Sequence, residues 1–424
     1  MREAHAHILA LGESLTIQSL AACSSVAECL DAVRRAADRL PAGAWVRLKS
    51  ARIESWAERR WPMLGELDRA CGDRPCVIMS FDHHAAAGNT AALRAAGLAP
   101  GQRVAPNGEV CVDAASGRAS GLLIEHAAYR AWASAPPESD SERRASVLAA
   151  LRSLAALGYR EVHDLHAQDW LGPMLAGIER AGELPIERVL LYPNIAELSA
   201  VHAGRAAWES RAIRLAGGKV FADGTLNSRT ALVLAPYREP FHGLACGRAM
   251  LPAEKIDAAI GLAESLGLHI AVHAIGDGAV RMVLDAFERT ATPRAPGNRH
   301  RVEHAEIVDE ADVPRFAGLG IVCSVQPCHL LADIEVLTGQ FPDRLDRVLP
   351  LRELIDSGCK PGGDDALLWF GSDVPIVRAD PGDSIQAAVY RRRAGQTAAE
   401  AIAPAQAITL GEARGALLIP VESR

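Results

Sequence analysis

From about residue 160 onward, short apolar runs rich in β-branched residues alternate with Ala- and Leu-rich stretches whose apolar positions recur every three to four residues. The runs at 160–165, 186–192, 219–222, 268–274, 299–305, 320–325 and 367–372 read as strands, and a short run at 3–8 adds an eighth. The stretches between them read as helices. The clearest spans 252–266, with Pro252 in its first turn and Gly267 at its end. Alternating βα units with eight strands predict an α/β fold of the (β/α)8 TIM-barrel class, in which functional residues gather at the C-terminal strand ends.

More than a hundred residues separate the first two predicted strands, so the repeat is interrupted. The pattern predicts a barrel made of residues 1–11 and 146–424, with 12–145 as an inserted lid subdomain. That insertion carries a strand candidate at 76–81 and a hairpin around 110–124 turning at Ala115-Ser116-Gly117-Arg118. It also holds Trp45, Trp56, Trp61 and Trp132, four of the seven tryptophans, which read as core residues of a unit with its own interior. An exposed Ser- and Pro-rich stretch at 134–140 marks its end.

Composition narrows the function classes. Forty-five Lys+Arg against 52 Asp+Glu leave a formal net charge of −7, without the basic excess that binding to a phosphate backbone demands. No apolar run approaches the roughly twenty residues needed to span a membrane. Neither nucleic acid nor membrane is therefore an expected partner. The N-terminal residues lack an apolar signal segment, and the nine cysteines include no CxxC pair, so reduced thiols and a cytoplasmic location are expected.

The candidate chemistry lies at the strand ends. His5-Ala6-His7 places two imidazoles at i and i+2, on one face of a strand, as two ligands to one metal must be. His273 and His304 close the predicted fifth and sixth strands, and Asp373 closes the eighth. Lys219 opens the predicted fourth. A lysine facing an apolar interior is costly to bury charged, whereas its carbamate, formed with carbon dioxide, can bridge two cations. Gln326 and His329 follow the predicted seventh strand and face the same rim.

These motifs resemble the amidohydrolase superfamily, and within it the amidohydrolase 3 or YtcJ-like group that includes N-substituted formamide deformylases. Glu3-Ala4-His5-Ala6-His7 is similar to that group's Asp-x-His-x-His start, and Phe81-Asp82-His83-His84 through Asn89 to its Asp-Gly-His segment. The stretches Lys219 to Gly224, Ser228 to Ala231, Val272 to Asp277, Val302 to Ala305, Ser324 to Pro327 and Gly371 to Pro375 follow in the family's order. The resemblance implies that His5, His7 and Asp373 hold one metal and His273 and His304 a second, with a carboxylated Lys219 bridging them. It implies one or two divalent ions, zinc first, with iron, manganese or cobalt as alternatives. Two departures are visible. Only four residues precede His5, so the family's small flanking β-sandwich is expected to be largely absent, which leaves room for a homo-oligomer in which a neighbour covers the barrel bottom. In addition, His83 replaces the usual glycine of the lid motif.

The function expected from this set is hydrolysis of a non-peptide C–N bond in a small-molecule N-acyl or N-formyl amide by a metal-activated water, with Asp373 moving the proton. His83, His84, Arg229, Gln326 and His329 are the candidate substrate contacts. Three alternatives stay open at this point: a cyclic-amide hydrolase or aminohydrolase on the same metals, a degenerate barrel with a binding or regulatory role, and a metal-free lyase using Lys219 as a Schiff-base nucleophile.

Overall fold

The structure, a computed structural model, describes the chain except residues 42, 54–55, 81–84, 106–107, 114–115, 137–138, 228, 241–243, 291–298 and 420–424. It divides into two compact units, Met1–Leu11 with Val147–Arg424, and Gly12–Ser146.

Among its described residues the first unit has nine strands: β1 (Arg2–Ala6), β2 (Glu161–Asp164), β3 (Arg188–Leu191), β4 (Ile213–Leu215), β5 (Gly217–Phe221), β6 (His269–Ala274), β7 (Arg301–His304), β8 (Val322–Val325) and β9 (Leu368–Phe370). All eight predicted strands are present, and all pairings are parallel. They form a four-stranded sheet, β1-β2-β3-β4, and a five-stranded sheet, β5-β6-β7-β8-β9. The ladders do not run on into a single ring. Single bridges join the two sheets, Ala6 with Val374 and Asn194 with Lys219. Between β4 and β5 stands only Ala216, whose N–H donates to Leu191 O at 3.0 Å and whose carbonyl accepts from His269 N at 3.0 Å. The one strand not anticipated, β4, is thus the first half of a segment that changes sheet partner at Ala216.

β2, β6, β7 and β8 are buried on both faces, which is why β6 and β8 read as largely apolar runs rather than as alternating ones. Helices cover them: Leu171–Arg180 follows β2, Ala253–Ser265 precedes β6, and Asp277–Arg289 follows it. The core includes Val162, Val189, Val220, Ile270, Val272, Val302 and Val325, nearly all fully buried. The exception to this apolar pattern is the set of charged residues inside the strands, Arg2, Glu3, Glu161, Asp164, Lys219, Arg301 and Glu303, each no more than 3% exposed.

The second unit holds a seven-stranded sheet with helices, in which Val46–Ala51 pairs parallel with Cys76–Ser80 and the remaining central pairings are antiparallel. Gly108–Val112 and Ala119–Ile124 form the predicted hairpin. Its own core contains Trp56, 1% exposed, with Val33, Leu48, Leu67 and Ile78. His83 and His84 fall outside the described residues.

Candidate metal centre

The site is assembled where strands of the first unit end. Glu3 on β1 sets its geometry: its carboxylate accepts the N–H of His5 at 3.0 Å and both the N–H and hydroxyl of Ser372 at 2.9 Å. This ties β1 to the segment that follows β9. Gly371 allows the approach, because a Cβ there would lie 2.5 Å from His5 N and 2.7 Å from its Cβ. Asp373 N–H then donates to His5 O at 2.7 Å, which brings the Asp373 carboxylate against both histidines of β1. Its Oδ1 lies 2.8 Å from His7 Nε2 and 3.3 Å from His5 Nε2. The ligand atoms of His5, His7 and Asp373 all fall within 4.8 Å of one another.

The protonation pattern of this trio shows what it can hold. His5 Nδ1 is 2.7 Å from the Glu303 carboxylate. Burial would favour a neutral Glu303, but the Arg301 charge and the hydrogen bond from His5 hold it well below the usual carboxylate range. An ionised carboxylate only accepts, so His5 donates from Nδ1 and its Nε2 carries a lone pair. Burial lowers His5 to about 4, so Nε2 is unprotonated at neutral pH. A lone pair facing the ionised Asp373 oxygen at 3.3 Å is repulsive unless a cation lies between them. The residues therefore fit a divalent metal: two imidazoles and a carboxylate, one imidazole oriented by a carboxylate behind it.

His304 and His273 lie beside this trio. The His304 ring centroid is 5.0 Å from that of His5 and 4.4 Å from that of His273. Strand alternation alone would send His304 away from Glu303, but His304 and Ala305 have φ of 75° and 43°. This left-handed turn, costly for residues with a Cβ, reorients the imidazole at the end of β7. Asp373 shares the feature, with φ of 60°. His304 Nδ1 is buried without a hydrogen-bond partner among the described residues, and burial keeps the ring neutral, so it too is a free donor of a lone pair.

The two halves of the expected second ligand pair differ in their surroundings. His273 Nε2 is 3.0 Å from Gly224 O and 3.6 Å from Asp223, so that nitrogen is already engaged. The ligand atoms of His304 instead gather with those of Glu306 and His329 within 4.8 Å. His329 Nδ1 is 3.7 Å from Glu306 and its Nε2 donates to Ser372 O at 3.1 Å. Burial opposes its charge, but the neighbouring Glu306, Asp373 and Asp333 carboxylates raise it to about 9.

Lys219 lies on β5 and is 0% exposed. Its Nζ has no hydrogen-bond partner among the described residues and stands 5.1 Å from the Phe221 ring centroid. Burial lowers it to about 8, and its charge is felt by His5, His7, His273 and His304. Gln326 also reaches the site, with Nε2 3.3 Å from His5 Nδ1. The Arg229 guanidinium donates to Glu239 O at 2.7 Å.

Sequence reasoning overlooked the supporting residues Glu303, Arg301, Asp223 and Glu3. Asp223 accepts N–H bonds from Ile275 and Gly276 at 3.0 Å and from Leu232 at 2.9 Å, and so secures the turn after β6. The available signal was charge within a buried strand: Arg301 and Glu303, two apart, share a face of β7 and need partners.

The chain matches the amidohydrolase family model over residues 1–416. It is 29% identical over 404 residues to YtcJ of Bacillus subtilis, named as an amidohydrolase, covering 92% of this chain and 72% of that protein. To the N-substituted formamide deformylase of Arthrobacter pascens it is 26% identical over 404 residues, covering 91% and 71%. The crystal structure of an uncharacterised metal-dependent hydrolase from Pyrococcus horikoshii aligns with a TM-score of 0.79 at 25% identity, over 98% of this chain and 80% of that one. With residues able to hold a metal gathered at the ends of parallel strands and a family match along almost its whole length, the chain belongs to the amidohydrolase family and is a hydrolase.

Proposed function

We propose that this hydrolase cleaves the non-peptide C–N bond of a small N-acyl or N-formyl amide with a water activated by one or two divalent metal ions, zinc first among them. The carrying observation is the opposition of His5 Nε2 and Asp373 Oδ1 at 3.3 Å, with His7 Nε2 2.8 Å from the same oxygen. In this reading the nine strands make up the eight-stranded barrel of the metal-dependent hydrolases, β4 and β5 being halves of one strand, with residues 12–145 as the inserted subdomain. The protein acts in the cytoplasm.

His5, His7 and Asp373 would hold one ion, and His273 and His304 a second, with Lys219 as its carbamate a further ligand. When bound, the metal supplies Lewis acidity toward the scissile carbonyl and lowers the pKa of water. Asp373 is kept ionised: burial opposes its charge, but His5 and His7 hold its pKa well below the usual range. It accepts the proton of the attacking water and delivers it to the departing nitrogen, since an amine leaves poorly unless protonated. The lowered pKa of Lys219, about 8, supports the carbamate, because only the neutral amine attacks carbon dioxide. Gln326 and His329 contact the substrate from the end of β8. His83, His84 and Arg229 are further candidate substrate contacts. The formamide deformylase among the relatives favours the amide reading over deamination.

The test is elemental analysis of protein purified without chelator, intact mass under non-acidic conditions, and turnover of a panel of N-formyl and N-acyl amines. Two equivalents of transition metal, added mass for one carbon dioxide and amide turnover support the reading. Protein that neither contains nor takes up zinc, manganese or iron overturns it.

A further inference from the structure

At the opposite ends of the same strands, where β1, β2, β3 and β6 begin, lies a cavity of about 640 Å³. Among the described residues five arginines line it, Arg2, Arg188, Arg211, Arg214 and Arg299, against two carboxylates, Glu161 and Asp364. Its two histidines, His163 and His269, are lowered to about 4 by burial and do not offset this excess. Part of the positive charge is already compensated. Arg188 is paired with Glu161, Arg299 stands 3.7 Å from Asp365 and donates to the carbonyls of Ala366 and Asp364, and Arg214 stands 3.6 Å from Glu209. The rest is not. Arg211 has no carboxylate partner among the described residues.

Arg2 carries the argument. Only 1% exposed, it lies at the inner end of the cavity with its guanidinium 4.0 Å over the Trp369 ring. One Nη donates to Ala416 O at 3.3 Å, but Nε is buried with no partner among the described residues. A buried, protonated guanidinium with an unused N–H is costly, and an oxyanion supplied from the cavity satisfies it. The volume is that of a small-molecule site rather than of a flat basic surface, and the chain as a whole is acidic, at −7.

We propose that this cavity is a binding site for a small, multiply charged oxyanion of the phosphate class, held by Arg2 at its inner end and by Arg211 and Arg214 at its rim. The site is separate from the metal centre and does not depend on the hydrolytic reading.

Isothermal titration calorimetry of the metal-loaded protein with inorganic phosphate, at constant ionic strength in chloride buffer, tests it. The variants are Arg211→Glu with Arg214→Glu, two exposed rim positions, and Asp373→Asn, which alters only the metal centre. The expected result is one saturable site per chain, weakened about tenfold or more by the rim substitutions and unchanged by Asp373→Asn. Absence of saturable binding in both calorimetry and thermal-shift titration overturns the proposal. So does binding that survives the rim substitutions, or binding that disappears with Asp373→Asn, which assigns the phosphate to the metals. Should the charge-reversed protein fail the circular dichroism check for folding, Arg211→Gln with Arg214→Gln replaces it under the same criteria.

Discussion

Glu303 Oε2 lies 2.7 Å from His5 Nδ1, and this contact decides which nitrogen of His5 faces Asp373. The same carboxylate is held from its other oxygen by the guanidinium of Arg301, itself hydrogen-bonded to Ser324 at 2.8 Å. Replacing Glu303 by Gln keeps the shape but allows the amide to present its N–H₂ to Nδ1, so the tautomer is no longer imposed. Metal affinity at the first site is expected to fall by about 10- to 100-fold, the usual effect of losing a carboxylate behind a histidine ligand. Competition against a chromophoric chelator measures it, and an unchanged affinity would show that His5 is not a ligand.

Asp373→Asn removes a proton acceptor while preserving volume. The amide turnover number is expected to drop by about 10²- to 10⁴-fold with the far-ultraviolet circular dichroism unchanged. A residual rate within a factor of a few of the parent would assign the proton transfer to another group.

Lys219 sets a pH dependence with a definite sign. Its pKa in the folded protein is about 8, against 10.5 ordinarily, because burial penalises the ammonium. Below pH 8 both states are protonated and the folded state bears the whole cost, at most about 3 kcal/mol. Between about 8 and 10.5 the unfolded chain binds the extra proton, so this group's contribution to stability rises with pH. In metal-free, carbon-dioxide-depleted buffer, Lys219→Met is therefore expected to be more stable than the parent at neutral pH, with the difference shrinking as pH rises. Urea unfolding at several pH values gives the slope, and a difference independent of pH would place the ammonium in contact with solvent or a counter-ion.

Gly371→Ala tests the close approach of β1 to the segment after β9. The new methyl meets backbone and Cβ of His5 at 2.5 and 2.7 Å, atoms that cannot rotate away. Destabilisation of about 1–3 kcal/mol is expected from the overpacking, accompanied by loss of metal from the displaced His5. Thermal unfolding and metal analysis on the same sample distinguish this from a purely local effect, in which stability falls but metal content holds.

Much of the fold was readable because each element of the first unit carries its own signal. Strands buried on both faces show no polar alternation, so β6 and β8 stand out as largely apolar runs, and the helix Ala253–Ser265 is bounded by Pro252 and Gly267. The segment Ile213–Leu215 was missed because its central Arg214 is exposed and three residues are too few for a pattern to emerge.

The candidate metal residues were legible for a related reason: histidine and aspartate at the ends of apolar strands have little reason to be there except chemistry. Their partners were not legible. That Glu303 orients His5, that His273 Nε2 is engaged by Gly224 O, and that His304 turns toward His5 through a positive φ all depend on segments hundreds or tens of residues apart meeting at set distances. So does the arginine-lined cavity, whose members come from the starts of several strands and from separate loops. The sequence by itself determined which segments form strands and which residue types stand at their ends, because burial period and side-chain chemistry are local properties. Only the tertiary structure decided which nitrogen faces which oxygen and which charges remain unpaired, because hydrogen-bond geometry and desolvation belong to pairs of residues brought together by folding.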